Sequence, residues 1–356
     1  MFQINEIMAI PPFSIVKKEK TLLYNRALKF LNDHHFWNCS EYRSILNVLK
    51  YNSDKSYRND QFPFLPVRLF KEFDLSSINE DRIFKIMHSS GTSGNQLSKI
   101  VLDKENANLQ TKVLTKIIST VLGNKRLPML IIDSESIIKD RTIFTARGAG
   151  VIGFSIFGKD VTYALNDNFE LDFKRVTDFA KRHKNEKIFI FGFTSIIWKY
   201  FVRYLLDNQI TLPQFDGFVI HGGGWKKLTD QKVDNSLFKK RVFDASGIKN
   251  IINYYGMIEQ TGSIFLECSE AYLHSSIFSD IIIRRNDFTV CDYNEIGLVQ
   301  LISLLPTSYP GHNIITEDLG EIIGIDDCKC GKKGKYFLIH GRVERAEIRG
   351  CSDTVE

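Results

Sequence analysis

The chain has 356 residues, of which 43% are hydrophobic and 25% are charged, and its formal net charge is +5. This composition is typical of a folded globular protein, and the length allows more than one domain or subdomain. The small net charge, with acids interspersed among the lysines, argues against a nucleic-acid-binding protein, and the sequence lacks an apolar run near the roughly 20 residues that span a bilayer.

The first 60 residues are predicted to be helical. Apolar residues recur at spacings of three and four in LYNRALKFLNDHHF and SEYRSILNVLKYN. His34 and His35 belong to the first stretch, and we expect both on the surface. The segment 62–75, FPFLPVRLFKEFDL, is rich in proline and phenylalanine and predicts an extended connector. The N-terminus has no pattern of a signal peptide, which predicts a cytoplasmic protein.

Strands and helices then alternate, which indicates an α/β fold with a largely parallel sheet flanked by helices. The helix predicted over 103–123 has Asp103 as its N-cap and Gly123 as its stop. After about residue 275 the sequence becomes β-rich. We therefore predict a helical N-terminal region with its connector over 1–75, an α/β nucleotide- and acyl-binding core over 76–265, and a β-rich subdomain with a hinge-like tail over 266–356. Predicted strands of the core cover 82–88, 127–133, 187–193, 215–225 and 251–256.

A loop of small and hydroxylated residues follows the strand predicted at 82–88. Its exposed backbone N–H groups and hydroxyls suit a polyphosphate, although a solvent-exposed turn fits the composition equally well. It is not a Walker loop, because Gly94 is followed by Asn95 rather than by lysine. The sequence HGGG at 221–224 does not indicate a serine hydrolase, because no G-x-S-x-G elbow follows it. The loop residues are Ser89, Ser90, Gly91, Thr92, Ser93 and Gly94.

These stretches resemble the adenylate-forming enzymes, which include acyl-CoA synthetases and luciferases. SSGTSG is similar to their nucleotide loop, and HGGGW (221–225) to their glycine-rich adenine loop. YYGMIEQTG (254–262) resembles their Tyr-Gly-x-Thr-Glu segment, TEDLG (316–320) their Thr-x-Asp stretch, and HGRVERAEIRG (340–350) their Gly-Arg hinge. All five follow the order of that superfamily.

A narrower resemblance covers nearly the whole chain. FPFLPVRLFKEFDL, ARGAGVIGFSIFG and YGMIEQTGSIF resemble the acyl-protein synthetases of the bacterial bioluminescence fatty-acid reductase system, which are similar to phenylacetate-CoA ligases. The chain ends just past the hinge-like segment, which implies that the mobile C-terminal domain of ordinary adenylate-forming enzymes, with its catalytic lysine, is absent.

The resemblance implies ATP as a substrate and Mg²⁺ as a cofactor. The loop 89–94 would hold the β- and γ-phosphates, and Lys99 would replace the loop lysine of the superfamily. Ile258 stands where the superfamily has threonine, so either Thr261 would substitute for it or the α-phosphate would be bound by other groups. The remaining roles fall on Gly222, Gly223 and Gly224 beside the adenine, Tyr255 stacked on it and followed by Gly256, Glu259 on Mg²⁺, Asp318 on the ribose hydroxyls, and Arg342 near the ribose or phosphate.

The resemblance further implies that a fatty acid is activated as acyl-AMP, transferred to the cysteine near the C-terminus, Cys351, and passed to a partner reductase. An incidental tail cysteine is the alternative for Cys351. An acyl- or aryl-CoA ligase, and a non-catalytic nucleotide-binding scaffold of a reductase complex, are alternatives for the whole protein. The expected acyl pocket comprises Arg147, Gly148, Gly150, Gly153, Gly192 and Phe193, whose glycines would leave room for a long chain.

Four other residues suggest a structural zinc site. Cys328 and Cys330 form a C-x-C turn, and Cys268 and His274 lie six residues apart. Together they make a Cys₃His set, which suits closed tetrahedral zinc. The alternative is a reduced surface turn with a hydrogen-bonded histidine in a strand. Cys39 and Cys291 are predicted to be packed residues.

Overall fold

The computed structural model describes residues 4–89, 97–138, 144–225, 228 and 231–343. The helices in these ranges are α1 Asn5–Met8, α2 Lys17–Asn38, α3 Ser40–Val48, α4 Leu69–Glu72, α5 Lys104–Leu122, α6 Ala146–Ser155, α7 Phe173–Arg182, α8 Thr194–Ile196, α9 Tyr204–Asp207 and α10 Asn235–Ser246. A π-helical stretch, Ile197–Arg203, runs between α8 and α9. None of the described helices is long and apolar enough to cross a bilayer.

The strands alternate with these helices in the first two thirds of the chain and dominate the last third. They are β1 Leu65–Pro66, β2 Lys85–His88, β3 Lys99–Leu102, β4 Leu127–Ser134, β5 Phe144–Thr145, β6 Gly158–Leu165, β7 Lys187–Phe193, β8 Asp216–Gly222, β9 Asn250–Tyr255, β10 Phe265–Glu267, β11 Leu273–His274, β12 Ser279–Arg284, β13 Gly297–Ser303, β14 Asn313–Ile325 and β15 Lys335–Arg342. The predicted α/β class is confirmed.

The described residues form two compact units built from interleaved chain segments. The β-rich unit consists of 4–88, 97–120 and 256–343, and the parallel-sheet unit contains Ser89 and the described residues of 121–255. The domain boundaries predicted at residues 75 and 265 stay a prediction.

The parallel-sheet unit contains five parallel strands in the order β6–β4–β7–β8–β9. The central strands β4 and β7 are buried along almost their whole length, which is typical of a parallel sheet that helices cover on both faces. Asp172 and Asp234 cap α7 and α10 by accepting hydrogen bonds from backbone N–H groups three residues on. Because the five strands are parallel, their carboxyl ends lie along one edge of the sheet, which is where open α/β sheets bind ligands.

The β-rich unit is built on an antiparallel arrangement in the order β12–β13–β14–β15–β11–β10, with β1 parallel to β14. Helix α5 belongs to this unit, and Asp103 caps it by accepting a hydrogen bond of 2.8 Å from the N–H of Asn106. This agrees with the helix predicted over 103–123. The proline-rich connector contains β1 and α4 rather than being extended throughout.

The surface position predicted for His35 is wrong. The ring of His35 is fully buried, its Nε2–H donates to the carbonyl of Pro306, and its Nδ1 accepts from the Ser77 hydroxyl at 2.7 Å. It also stacks on His312, with ring centroids 5.0 Å apart. Helical periodicity places His35 on one face of α2, but it does not reveal that later chain segments cover that face.

Candidate active site

The glycine rim, Gly222–Gly224, follows β8 at the carboxyl edge of the parallel sheet. A Cβ atom on Gly222 would lie 2.5 Å from Cε1 of Tyr254, and Gly223 has φ of +79°. Gly224 differs from both, because no atom of the described residues would lie within 4 Å of its Cβ. The first two glycines are therefore needed by the fold, whereas the open side of Gly224 leaves the backbone accessible to a flat ligand.

Two tyrosines end the neighbouring strand β9. Tyr254 pairs with Gly222 in register, and its ring packs on Phe154 with centroids 5.1 Å apart. Tyr255 is the last residue of β9, is partly exposed, and is followed by Gly256. A partly exposed aromatic ring at this edge has the geometry that stacking on a base requires.

Arg147, the only charged residue predicted for the acyl pocket, lies in a buried ion pair. Its Nε and Nη2 donate to the two carboxylate oxygens of Asp133 at 2.9 and 2.7 Å. Its guanidinium also lies 4.7 Å from the ring centre of Phe169. Asp133 is the second-to-last residue of β4, so this bidentate pair anchors the first turn of α6 at the carboxyl edge of the sheet.

The glycines predicted to leave room for an acyl chain have close neighbours. A Cβ on Gly150 would lie 2.8 Å from Cζ of Phe193, and one on Gly192 would lie 2.8 Å from Cγ1 of Ile197. Gly148 and Gly153 lie in α6 with Gly150. The space that side chains at Gly150 and Gly192 would take is therefore occupied by other protein atoms. The Phe193 ring lies between Gly150 of α6 and Gly223 of the glycine rim.

A histidine–threonine pair that the sequence patterns did not predict supports the glycine rim. The hydroxyl of Thr194 donates to the carbonyl of Gly222 at 3.1 Å, so the Nδ1–H of His221 donates to that hydroxyl oxygen at 2.9 Å. Burial, reinforced by Lys239, lowers the pKa of His221 to about 3. The neutral ring thus fixes the first rim glycine, and the position of both residues at strand ends was the signal available in the sequence.

In the β-rich unit, Glu259 lies in a short 3₁₀ turn, Ile258–Gln260, and is buried. The hydroxyl of Tyr309 donates to the backbone carbonyl of Glu259 at 2.9 Å, and the Gln260 amide donates to the carbonyls of Leu301 and Gly311. These contacts hold the turn on the antiparallel strands. No local pattern in the sequence indicated the role of Tyr309.

Thr261 follows this turn, and its hydroxyl donates to the carbonyl of Ile258 at 2.8 Å. The next residue, Gly262, has φ of +88°, and a Cβ there would lie 2.7 Å from the carbonyl oxygen of Gln110. The chain therefore approaches α5 so closely that only glycine fits at position 262.

Asp318 and Arg342 occupy directly paired positions on β14 and β15. The Arg342 Nε lies 3.4 Å from Oδ1 of Asp318, and both side chains are partly exposed. The N–H of Asp318 donates to the hydroxyl of Thr316. A carboxylate held beside a guanidinium and open to solvent can accept hydrogen bonds from a diol.

Lys99 begins β3, opposite His88 in β2. Its ammonium group forms an ion pair with Asp74 at 2.9 Å, and its side chain is 41% exposed. The lysine therefore follows the small-residue loop in sequence but lies in a strand. Ser89 is buried, whereas Ser90, Gly91, Thr92, Ser93, Gly94 and Cys351 lie outside the described residues.

The structure brings the four predicted zinc ligands together in the β-rich unit. The ligand atoms of Cys268, His274, Cys328 and Cys330 all lie within 4.8 Å of one another. Cys39 is buried elsewhere, as predicted, and Cys291 is partly exposed.

Comparison with known proteins decides the family. The family model described as "Acyl-protein synthetase, LuxE" matches residues 3–356. The chain belongs to this family. Among curated proteins, this acyl-protein synthetase family member is 23% identical over 301 residues to the long-chain-fatty-acid–luciferin-component ligase of Aliivibrio fischeri, covering 80% of this chain and 75% of that protein.

Solved structures of 2-hydroxyisobutyryl-CoA ligase share the fold of this family member at 12% identity. The postadenylation complex with R3-HIB-AMP gives a TM-score of 0.69 and covers 93% of this chain and 69% of that chain. An open conformation with 2-HIB-AMP and CoA gives a TM-score of 0.70, with 94% and 77% covered. The family makes the protein an enzyme with ligase activity, as the sequence predicted, and these solved structures show that it shares their fold.

Proposed function

We propose that this acyl-protein synthetase activates a fatty acid with ATP and transfers the acyl group to a protein thiol. The observation that carries the proposal is the family match over residues 3–356. The name of the Aliivibrio fischeri relative, a long-chain-fatty-acid ligase, supports fatty acids as the substrate class.

The chemistry proceeds in two displacements. A carboxylate oxygen of the fatty acid attacks the α-phosphorus of ATP, the bond to the β-phosphate breaks, and pyrophosphate leaves. The resulting acyl-AMP is a mixed anhydride, so a thiolate attacks its carbonyl carbon, a thioester forms, and AMP leaves with the bonding electron pair. Both steps require positioning and neutralisation of charge more than proton transfer.

In this proposal the glycine rim and Tyr255 bind the adenine. The open side of Gly224 and the partly exposed ring of Tyr255 support that role. The small residues 89–94 bind the β- and γ-phosphates, with Lys99 and Thr261 as additional polar groups near the phosphates.

The β-rich unit contains the acidic residues for which the resemblance implies contacts with the nucleotide. Asp318 accepts hydrogen bonds from the ribose hydroxyls, and Arg342 orients that carboxylate while facing the phosphate. The carboxylate of Glu259 would hold Mg²⁺, which neutralises phosphate charge when it is bound. The contact between Tyr309 and the Glu259 carbonyl supports a fixed position for this acid.

The proposed acyl pocket is lined by α6 and the end of β7. Gly148, Gly150 and Gly153 give α6 a low profile, and the ring of Phe193 fills the space beside Gly150. We expect the acyl chain to displace this ring, so Phe193 and Gly192 form its wall. The Arg147–Asp133 pair supports the pocket by holding α6 in place.

The proposed acceptor is Cys351, from which a partner reductase would take the acyl group. The test is carboxylate-dependent exchange of labelled pyrophosphate into ATP, measured with a series of fatty acids and arylacetic acids. We expect exchange with long-chain acids and a hydroxylamine-labile acyl adduct on Cys351 in mass spectrometry. A Cys351→Ser variant should keep the exchange and lose the adduct.

Glu259→Gln tests the proposed Mg²⁺ ligand in the same pyrophosphate-exchange assay. The neutral amide cannot neutralise the metal charge, so we expect exchange to fall by about 10²-fold or more. Glu80→Gln is the control, since Glu80 also lies in a short 3₁₀ turn of the same unit but is exposed. Exchange that survives Glu259→Gln, or that requires no carboxylic acid, would contradict the proposal, and transfer to CoA without a Cys351 adduct would favour a CoA ligase.

A further inference from the structure

Four metal-ligating side chains converge where two β-hairpins of the β-rich unit meet. Cys268 directly follows β10, and His274 ends β11, its partner in the first hairpin. Cys328 and Cys330 lie in the loop that joins β14 to β15, and β15 pairs with β11 through Tyr336 and His274. Residues sixty positions apart in the sequence are thus brought to one point by strand pairing.

The distances between these side chains match the edges of a zinc tetrahedron. With Zn–S of about 2.3 Å and Zn–N of about 2.0 Å, a tetrahedral ion separates two sulfurs by about 3.8 Å and a sulfur from a nitrogen by about 3.5 Å. Cys268 Sγ lies 3.9 Å from Cys328 Sγ, and Cys330 Sγ lies 3.4 Å from His274 Nε2. We infer that Cys268, His274, Cys328 and Cys330 bind one structural zinc ion.

A disulfide does not explain the arrangement. A sulfur–sulfur separation of 3.9 Å is far longer than the bond of about 2.05 Å, and a disulfide needs neither the third thiol nor the imidazole. A set of three thiols and one imidazole prefers zinc over hard cations such as magnesium. Three of the four ligands are buried, and all four positions are filled by protein atoms, which indicates a structural rather than a catalytic ion.

The surroundings complete the charge of the site. Zinc with three thiolates and a neutral imidazole carries one negative charge. Lys332 lies close enough to all three sulfurs to interact electrostatically with them, and its ammonium lies 4.7 Å from the ring centre of Phe13. The Phe13 ring meets His274 edge-on at 6.4 Å, and the Tyr336 ring stacks on the imidazole with centroids 5.6 Å apart.

The zinc site fastens three parts of the chain. The loop 326–334 closes the β14–β15 hairpin, whose opposite end holds Asp318 and Arg342 in register. The N-terminal segment is attached at the same place, since the N–H of Ile277 donates to the Pro12 carbonyl and that of Lys333 to the Phe13 carbonyl. Zinc therefore fixes the turn of the β14–β15 hairpin, and this hairpin carries the proposed ribose-binding carboxylate of Asp318 near its open end.

The test is the metal content of the full-length chain, purified without a polyhistidine tag and under reducing conditions. We expect elemental mass spectrometry to find about one zinc ion per chain. Cobalt in its place should give the visible bands of tetrahedral Co²⁺ together with a sulfur-to-cobalt charge-transfer band. Cys328→Ser and Cys330→Ser should lose the metal and these bands, whereas Cys291→Ser should keep both.

Two further measurements separate zinc binding from misfolding. His274→Cys should retain zinc because thiolate replaces imidazole in the tetrahedron, whereas His274→Ala should lose it. Removing zinc from the wild-type chain with an organomercurial and a chelator should lower the melting temperature by at least about 5 °C, and zinc but not magnesium should restore it. A zinc-free folded chain, zinc retained in Cys328→Ser, or a mass lower by two hydrogens from a Cys268–Cys328 disulfide would overturn the inference.

Discussion

Asp318 is the residue whose proposed role can be tested most directly with the substrate. Its carboxylate is held 3.4 Å from the Arg342 Nε and remains partly exposed, so it can accept hydrogen bonds from both ribose hydroxyls. A hydrogen bond to a charged group contributes about 1.5–3 kcal/mol, which is about tenfold or more in binding.

We therefore expect Asp318→Asn to raise the KM for ATP about tenfold or more and to reduce the preference for ATP over 2′-deoxy-ATP. Pyrophosphate exchange with the two nucleotides measures both effects. Asp292→Asn is the control, because Asp292 also pairs with an arginine but is 92% exposed. An unchanged preference between the two nucleotides in Asp318→Asn would exclude this residue from the ribose site.

For single residues, the chemistry of a side chain could be read from the sequence, whereas its burial and its partners could not. The acidic, aromatic and cysteine residues that sequence analysis singled out have side-chain chemistry suited to their proposed roles. It did not predict that Arg147 would be paired with Asp133, or that His35 would be buried. Asp133 lies 14 residues before Arg147, and Pro306 lies 271 residues after His35, so neither contact leaves a pattern at the helical or strand period.

Among the larger elements, the glycine rim and its supporting strands separate structural from binding roles. A Cβ on Gly222 would lie 2.5 Å from the Tyr254 ring, whereas one on Gly224 would meet no atom within 4 Å in the part of the chain that the structure describes. We expect Gly222→Ala to lower the free energy of unfolding by about 1–3 kcal/mol because the ring must move. Thermal or chemical denaturation measures this loss.

Gly224→Ala is the matched variant for function. It should leave the melting temperature within experimental error but raise the KM for ATP, because the added methyl group faces the proposed adenine. If Gly224→Ala changes neither quantity, the rim does not contact the nucleotide. If it destabilises the protein as strongly as Gly222→Ala, the added methyl group meets protein atoms and the proposed adenine role of Gly224 is contradicted.

Element boundaries were predictable where local signals agreed with packing. Helix α5 spans Lys104–Leu122 within the predicted 103–123, because its apolar stripe, its Asp103 cap and Gly123 all indicate the same limits. Helix α6 was not predicted, since glycines disfavour helices. It forms because Thr145 caps it and because its glycines allow the close approach of Phe193.

For the whole molecule, buried histidines predict how stability depends on pH. His35 and His312 stack on each other, with His34 and Tyr42 against them. Burial, with the neighbouring His34, lowers the pKa of His312 to about 3, and burial, with His312 and His34, lowers that of His35 well below its usual value. The folded state therefore keeps both rings neutral while the unfolded state takes up protons below about pH 6.5.

Because the unfolded state binds more protons in this window, stability is complete above about pH 6.5 and is lost as the pH falls toward 3. Between pH 7.5 and 5.5, His312 alone should remove about 1.4 kcal/mol from the free energy of unfolding. Urea denaturation at the two pH values measures the loss. His312→Gln should reduce this pH dependence. Equal slopes in wild type and His312→Gln would contradict the assignment.

The sequence by itself determined the α/β class, the order of the elements, the family, and the types of side chain available for nucleotide and metal binding. These features depend on short-range periodicity, capping and motif order, which neighbouring residues encode. Only the tertiary structure decided that His35 is buried, that Phe193 fills the space beside Gly150, and that Cys268 and Cys328 lie 3.9 Å apart. Those outcomes depend on contacts between distant segments, whose geometry is fixed only when the strands pair and the core closes.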